Sequence, residues 1–497
     1  MSRWPARGAA LLAGALPAVA FPDANAAILA WIALVPALLV LRASGSAREA
    51  VLRGWLLGLG FLVATQSWPA PNLVYFYPLA VAVLALLWAG WGALAWFLVR
   101  GELTGTRTVA AVVGVPAAWV LIEVVRSWQW LGGPWSLMGA TQWRHPTVLA
   151  LAGLGGVWLV GYAVVAVNTA LAVTVVGPAR ARVVAGAAAV IVAAAGPVWF
   201  ALGPAPTPAG ALRVALIQPG IGPGDTMIRE QQLTREIPGD VGLVVWGESS
   251  VDADLGDRPD VAAQLTALSR DVGADLLVNV DARSGDTGAI SKTATLIDES
   301  GVVATYRKTR LVPFGEYVPF RDRLGWLSRI TAAAAQNRVP GHRLVVMSAA
   351  GTPFGPLISF ELTFPDLARR LTNDGAALLV YQTSTSTFQD SSGPAQLTSV
   401  GAVRAAETGR PVAVAALSGV SAAFDARGRR FAWLPTTQSG SLVVDLTPTS
   451  GSTLYARVGD WVPVACAALV VGLGLTAARP RPRRSRTPDR PPEPDEP

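Results

Sequence analysis

Long apolar runs crowd the first 203 residues of the chain and recur once near its end. Several of these runs reach the roughly 17–25 residues that a helix needs to cross the hydrocarbon core of a bilayer. The chain is 52% hydrophobic and only 15% charged, which excludes a disordered chain and a wholly soluble enzyme. The pattern predicts a membrane α-helical bundle of about eight spans, near residues 9–22, 25–42, 54–68, 76–99, 108–125, 157–177, 182–202 and 459–477.

The first apolar run also fits a secretory signal peptide, because arginines are followed by an apolar stretch and then by small residues. A second apolar run follows almost at once, which favours a retained helical hairpin. With the N-terminus in the cytoplasm and the spans alternating, most basic residues of this part fall on the inner side, as the positive-inside rule requires. These residues are Arg3, Arg7, Arg42, Arg48, Arg53, Arg100, Arg107, Arg180 and Arg182.

The same rule gives the domain organisation. Residues 1–203 form a membrane domain of seven spans, 204–457 an extracytoplasmic domain, 458–478 a last transmembrane helix, and 479–497 a disordered, basic, proline-rich cytoplasmic tail. The net charge of +7 is therefore explained by basic residues on the cytoplasmic side of the membrane, and no nucleic-acid partner is expected. Five tryptophans suit an outer interfacial belt: Trp68, Trp128, Trp130, Trp135 and Trp143.

The segment 204–457 has a different character, with short β-branched runs separated by glycine and proline turns. Helical patterns fit between some of these runs. Strands that alternate with helices predict an α/β fold whose functional residues lie at strand ends. The predicted strands are LRVALIQ, GLVVW, DLLVNVD, TATLIDE, GVVATYR, GPLISF, ALLVYQT, PVAVAAL and SLVVDL.

Three polar residues stand at such strand ends. Glu248 follows an apolar strand, where partial burial suits a general base. Lys308 opens a Pro/Gly-rich loop, and Ser359 begins a turn beside backbone N–H groups that can hold an oxyanion. Each also has a structural interpretation: a cap or turn carboxylate, a solvated loop charge and a helix N-cap. The same alternative applies to Glu316 and Glu361.

Residue counts narrow the chemistry further. The single cysteine, Cys466, excludes a disulfide framework, and two histidines leave little room for a zinc site, so no metal or cofactor is expected. Only Lys292 and Lys308 are lysines among 40 basic residues. A lysine that survives in such an arginine-biased chain marks either a place that needs a compact, titratable amine or compositional chance.

Taken together, these segments resemble the apolipoprotein N-acyltransferases, a membrane branch of the nitrilase (carbon-nitrogen hydrolase) superfamily. The resemblance covers nearly the whole chain. It rests on IEVVRSWQWLGGPWSLMGATQ, VALIQPGI, VVWGES, KTRLVPFGEYVPF, ISFEL, the GP and RAAETGRP run, and STLYARVGDWVP. The KTRLVPFGEYVPF match is long and highly specific, and the weaker motifs stand in the right order around it.

The resemblance implies a nitrilase-like αββα sandwich on a bundle of eight helices in the bacterial cell membrane, with the catalytic domain outside the cytoplasm. It implies ping-pong acyl transfer, in which a phospholipid donates the acyl chain and the lipidated N-terminal cysteine of an apolipoprotein accepts it. Matched motif by motif, the catalytic glutamate and lysine fall on Glu248 and Lys308. Glu316 matches an accessory carboxylate, and Glu361 matches the glutamate two places after the nucleophile.

The nucleophile position departs from the family, because the family cysteine falls on Ser359. An Asn-Asp-Ala-Trp-Phe stretch falls on 384–388, and only its last residue, Phe388, agrees. A hydroxyl ionises less readily than a thiol and needs a base during attack, either Glu248 or neutral Lys308. Three hypotheses follow: an acyltransferase with a serine nucleophile, a catalytically impaired paralogue that binds lipoprotein or phospholipid and assists an active partner, and a membrane-tethered amidase or lipid hydrolase.

Overall fold

The computed structural model describes residues 3–284, 289–325 and 338–478. Its first part, up to residue 202, is built from helices and short 3₁₀ turns. The α-helices are α1 (Arg3–Ala15), α2 (Val35–Arg42), α3 (Ala47–Thr65), α4 (Ala70–Leu73), α5 (Phe76–Leu84), α6 (Leu86–Val99), α7 (Gly105–Arg126), α8 (Pro146–Leu149), α9 (Ala152–Val176) and α10 (Ala179–Leu202).

Four helical segments of the described chain are long and apolar enough to cross a membrane: Phe76–Val99, Gly105–Arg126, Ala152–Val176 and Ala179–Leu202. They coincide with four of the eight predicted spans. The other four predicted spans are shorter or interrupted. The run from Ala27 breaks between a 3₁₀ turn and α2, and α3 has Arg48, Glu49 and Arg53 near its start. The structure therefore supports a membrane protein with four candidate spans.

The second part contains the strands. They are β1 (Thr207–Pro208), β2 (Leu212–Gln218), β3 (Leu243–Val245), β4 (Asp275–Ser284), β5 (Ala289–Asp298), β6 (Gly301–Arg307), β7 (Met347–Ala349), β8 (Thr352–Ile358), β9 (Leu378–Thr383), β10 (Val412–Ala416), β11 (Ser421–Phe424), β12 (Arg430–Leu434), β13 (Gly440–Leu446) and β14 (Thr449–Ser450). The helices of this part are α11 (Thr226–Arg235), α12 (Pro259–Val272), α13 (Arg321–Leu324), α14 (Pro365–Asn373), α15 (Gly393–Thr408), α16 (Leu454–Val458) and α17 (Trp461–Ala478).

Two six-stranded sheets face each other, in the orders β13-β2-β3-β4-β5-β6 and β12-β11-β10-β9-β8-β7. Leu216, Leu277, Phe354 and Leu378 belong to one buried cluster and lie on the facing sides of the two sheets. Helices α11 and α12 cover the outer face of the first sheet, and α14 and α15 cover the second. This arrangement is the expected αββα sandwich. All nine predicted strands are present, within a few residues of their expected ends.

The two parts of the chain meet at a break in helix α9. Gly155 and Gly156 have non-helical backbone angles, and Gly156 has a φ of 71°, which glycine adopts at little cost. The break frees the N–H of Val157, which donates to Glu407 Oε1 on α15 at 2.8 Å. Glu407 is fully buried and also pairs with Arg404 at 2.9 Å. A buried carboxylate of the sandwich thus caps the second half of a helix in the bundle.

The predicted tryptophan belt is only partly present. Trp128 and Trp130 are more than half exposed, as an interfacial position requires. Trp143 is buried instead, because its ring stacks on Trp433 of β12 with centroids 5.4 Å apart. Trp68 packs against Trp135, so Trp68, Trp135 and Trp143 all make contacts within the protein. The prediction that Trp143 lies in the interfacial belt was wrong.

Candidate active site

The candidate site lies where the carboxyl ends of parallel strands from both sheets converge. Strands β2, β3 and β4 are parallel in one sheet, and β8, β9 and β10 are parallel in the other. The buried Gln382 at the end of β9 joins the sheets, because its amide donates to the carbonyls of Trp246 and Leu277 at 2.9 and 3.0 Å. These two hydrogen bonds hold the carboxyl end of β3 and the neighbouring part of β4 next to the carboxyl end of β9.

Glu248 and Ser359 lie on either side of this join. The Glu248 N–H donates to the Thr383 carbonyl at 3.1 Å, directly after Gln382. Ile358, which precedes Ser359, is the register partner of Gln382 in the parallel β8–β9 pair. The predicted base and the residue before the predicted nucleophile therefore both lie next to the end of β9, although they belong to different sheets.

Lys308 contacts Glu248 and a second carboxylate, Glu316. Its Nζ lies 3.0 Å from Glu248 Oε1 and 2.9 Å from Glu316 Oε1. The side chain is about 1% exposed, which excludes the solvated-loop interpretation. Glu316 also pairs with Arg338 at 2.9 Å and accepts the N–H of Val312 at 2.8 Å, so it holds the loop after β6 closed around the lysine.

These contacts decide the protonation state of Lys308. Burial alone would lower the pKa of its amine, but the carboxylates of Glu248 and Glu316 outweigh burial and raise that pKa above its ordinary value. Lys308 is therefore a cation throughout the neutral range. This charge state favours Glu248 over the alternative of a neutral Lys308 as the candidate base of the cluster.

Glu361 joins the lysine loop to the serine turn. Its Oε1 accepts the N–H groups of Thr309 and Arg310 at 2.8 and 3.1 Å, and its Oε2 accepts the N–H of Ile358 at 2.9 Å. Thr309 follows Lys308 and Ile358 precedes Ser359, so one carboxylate fixes the chain beside both. Burial raises the pKa of Glu361, and these hydrogen bonds oppose the shift. Glu361 thus serves as a brace between the two segments.

Ser359 has the backbone of a strained strand-end residue. Its φ is 49°, in the left-handed region that non-glycine residues rarely adopt. It lies between β8 and the 3₁₀ turn Ser359–Thr363, and 9% of the residue is exposed. Within the described chain its hydroxyl makes no hydrogen bond, so it does not act as an N-cap. Cys466 is buried in α17 and is not part of this cleft.

Sequence reasoning missed two members of the cluster, Lys292 and Asp281. Lys292 Nζ lies 3.4 Å from Glu248 Oε1 and 3.3 Å from Asp281 Oδ1, and it donates to Ser249 Oγ. Burial raises the pKa of Asp281, and the charge of Glu248 acts in the same direction. The signal for Lys292 was present, since it is one of only two lysines in the chain.

The chain resembles known proteins over most of its length. A family model described as the apolipoprotein N-acyltransferase N-terminal domain matches residues 13–170, and one described as carbon-nitrogen hydrolase matches residues 241–454. The apolipoprotein N-acyltransferase of Pseudomonas paraeruginosa is 30% identical over 97% of this chain and 98% of that protein. That of Methylococcus capsulatus is 31% identical over 95% of this chain and 96% of that protein.

The chain belongs to the apolipoprotein N-acyltransferase family. It is therefore an acyltransferase, and the match does not favour the hypothesis of a catalytically impaired paralogue. Among solved structures, an amidase from Nesterenkonia sp. is 23% identical, with 50% of this chain and 92% of that chain covered and a TM-score of 0.37.

Around the cleft of this acyltransferase, small hydroxyl residues occupy the ends of β9 and β10. Ser384 Oγ lies 3.4 Å from Ser418 Oγ, and Thr385 Oγ1 donates to the Ser418 carbonyl at 3.1 Å. Leu417 N donates to the carbonyl of Thr383, which also holds Glu248. Ser384 and Thr385, which depart from the family stretch, thus both bond to Ser418 and maintain the backbone beside Glu248.

An apolar cavity of about 330 Å³ opens beside the lysine loop of the acyltransferase. Its walls come from the segment after α7 and from the loop that contains Glu316. Trp130 and Phe320 meet across it with ring centroids 5.2 Å apart, and Gln129 donates to the Leu311 carbonyl at 3.0 Å. Its lining residues are Trp128, Trp130, Leu131, Phe314, Pro319 and Phe320.

Proposed function

We propose that the protein transfers a fatty acyl chain from a phospholipid to the α-amino group of the N-terminal S-diacylglyceryl-cysteine of bacterial lipoproteins, through an ester on Ser359. The observation that carries this proposal is the contact of Glu248 with the Lys308 cation, together with the bonds by which Glu361 ties the segment after Lys308 to the strand end before Ser359. The full-length similarity to named apolipoprotein N-acyltransferases supports the choice of donor and acceptor.

In the first half-reaction Ser359 Oγ attacks the ester carbonyl carbon of the phospholipid. Glu248 takes the hydroxyl proton as the Oγ–C bond forms, and the ammonium group of Lys308 stabilises the negative charge that develops on the carbonyl oxygen. The bond to the glycerol oxygen then breaks. That oxygen takes the proton from Glu248 and leaves as part of a lysophospholipid, and the acyl chain remains on Ser359.

In the second half-reaction the α-amine of the lipoprotein attacks the acyl-Ser359 ester. Glu248 accepts the proton that the amine loses, and Lys308 again faces the oxyanion. When the tetrahedral intermediate collapses, the C–Oγ bond breaks and Ser359 recovers its proton from Glu248. The product is an amide, and both catalytic side chains return to their starting states.

The apolar cavity supports a donor that arrives from the membrane side. It joins the segment after α7, a candidate span, to the loop that holds Lys308 and Glu316. An acyl chain in this cavity would lie against aromatic rings while its ester extends towards Lys308. We therefore assign the cavity to donor chains.

An adduct experiment tests the proposal. The purified protein in detergent is incubated with a phospholipid that has a labelled acyl chain, and tryptic peptides are analysed by mass spectrometry. We expect the acyl mass on the peptide with Ser359, none in Ser359→Ala, and an unchanged adduct in Ser348→Ala, which alters an exposed serine of β7. An adduct that releases only free fatty acid when a lipidated peptide is added would favour the hydrolase hypothesis, and no adduct would favour the impaired paralogue.

The proposal also requires a topology. We propose eight spans, seven within 1–203 and one within 458–478, with 204–457 outside the cytoplasm and 479–497 inside. A reporter that is active only outside the cytoplasm should be active when fused at Gly341 and silent when fused to the tail. The reverse pattern would place the cleft on the side away from lipoprotein substrates and would refute the proposed function.

A further inference from the structure

Both lysines of the chain contact the same oxygen atom. Lys308 Nζ and Lys292 Nζ lie 3.0 and 3.4 Å from Glu248 Oε1, whereas the other 38 of the 40 basic residues are arginines. Among the described residues no hydrogen bond involves the second oxygen, Oε2. Two ammonium groups thus hold one oxygen of the base, and the other stays available for a proton.

Lys292 is placed by its own sheet and not by the lysine loop. It lies on β5 directly opposite Asp281 of β4 in the antiparallel register, and its side chain is about 5% exposed. It also donates to Ser249 Oγ, while the Ser249 N–H donates to Asn279 Oδ1 at 2.9 Å. Ser249 has a φ of 61°, so Lys292 and Asn279 together hold the strained residue that follows Glu248.

The charges around Glu248 alternate and balance. Three carboxylates, Glu248, Glu316 and Asp281, are interleaved with three cations, Lys308, Lys292 and Arg338, in a chain of contacts between 2.9 and 3.4 Å. Without Lys292 the buried cluster would hold one excess negative charge. An excess negative charge favours protonation of a neighbouring carboxylate, which would inactivate a base.

We propose that Lys292 is a positioning residue for acyl transfer, which holds Oε1 of Glu248 and balances its charge, so that Oε2 is left to take the proton of the Ser359 hydroxyl. The inference rests on the proposed function, in which Glu248 takes that proton. Lys292 itself touches neither substrate nor nucleophile in this scheme, and its effect passes through Glu248. A serine nucleophile makes the requirement stringent, because a hydroxyl needs an aligned base at the moment of attack.

Acyl-enzyme formation gives the first test, with Lys292→Met and the control Arg213→Met, which removes a cation from an exposed ion pair with Asp445 of the same sheet. We expect Lys292→Met to slow acylation of Ser359 at pH 7 by about 10–100-fold, in the range of a weakened general base. The KM for phospholipid should be unchanged, and the rate should recover partly as the pH rises. The control should keep the wild-type pH profile.

A second measurement does not depend on acyl transfer. In a Ser359→Cys background, the rate of thiol alkylation by iodoacetamide is followed against pH, with Lys292 present or replaced by methionine. Excess negative charge opposes a second anion nearby, so Lys292→Met should move the alkylation midpoint up by about one pH unit, or ~tenfold in rate below the midpoint. Circular dichroism confirms that each variant is folded.

The two measurements separate the two proposals. If the wild type forms no acyl-Ser359, the proposed function fails, and the alkylation profile still decides the role of Lys292. If Lys292→Met does not move the alkylation midpoint, the proposed role of Lys292 is overturned, whatever the result of the acylation assay. A slower acylation with an unchanged pH profile also overturns it, because a merely structural role predicts that result.

Discussion

Lys308→Met is expected to slow acyl-enzyme formation by about 10²–10³-fold, the cost of removing one donor from an oxyanion site. The neighbouring carboxylates raise the pKa of Lys308, so the amine is charged over the whole assay range. The wild-type rate should therefore show no loss from deprotonation of Lys308 between pH 6 and pH 9. Acylation rates of the purified variant with labelled phospholipid measure the effect.

Two further variants make this result specific. Lys308→Arg keeps the charge, but the planar guanidinium does not reproduce the compact contact with Glu248 and Glu316, so most activity should still be lost. Arg307→Met removes a cation one residue away, on an exposed side chain, and should leave the rate unchanged. A rate for Lys308→Met within about threefold of the wild type would remove Lys308 from the mechanism, since even a modest oxyanion donor contributes more.

Ser359→Cys is expected to form an acyl-thioester and to N-acylate a lipidated peptide at least as fast as the wild type. A thiol has an ordinary pKa near 8.5, and its thiolate is strongly nucleophilic, so it needs less help from Glu248 than a hydroxyl does. An amine also attacks a thioester more readily than an ester. Mass spectrometry of the adduct and release of the N-acylated peptide measure the two steps.

The other outcomes of this substitution are equally informative. If the wild type transfers acyl chains and Ser359→Cys does not, the site is adapted to a serine alkoxide and not to a thiolate. If both proteins are inert with good lipid donors while Lys308 and Glu248 remain in contact, the hydroxyl residues at Ser384 and Thr385 have disabled the cleft. In that case the hypothesis of an assisting paralogue would replace the proposed function.

The sequence predicts the sandwich and the central contact well, for clear physical reasons. Short β-branched runs favour strands whether buried or at a sheet edge, so LRVALIQ and GVVATYR coincide to the residue with the buried β2 and with the more exposed edge strand β6. Polar residues directly after such runs indicated Glu248, Lys308 and Ser359 as candidates. Glu316 lies further along the loop after β6, and only the resemblance to the family indicated it.

Other features depend on how distant segments pack. Gln382 joins the two sheets only because the sheets are stacked, and ALLVYQT gives no sign of that role. Lys292 stands inside a strand and not at its end, so a search of strand ends passes over it. The number of spans could not be predicted for a related reason. Apolar content does not show where a helix breaks, and the apolar run from Ala27 does break before α2.

The bond between Glu407 and the Val157 N–H has a consequence for where the enzyme can work. Because a buried side chain of the sandwich caps a helix that continues into the bundle, the sandwich cannot tilt or lift without uncapping that helix. In the proposed orientation the distance from cleft to lipid surface is then constant. A lipoprotein must bring its modified cysteine down to that depth, so acceptors whose first residues cannot extend freely from the bilayer should be poor substrates, whatever their lipid.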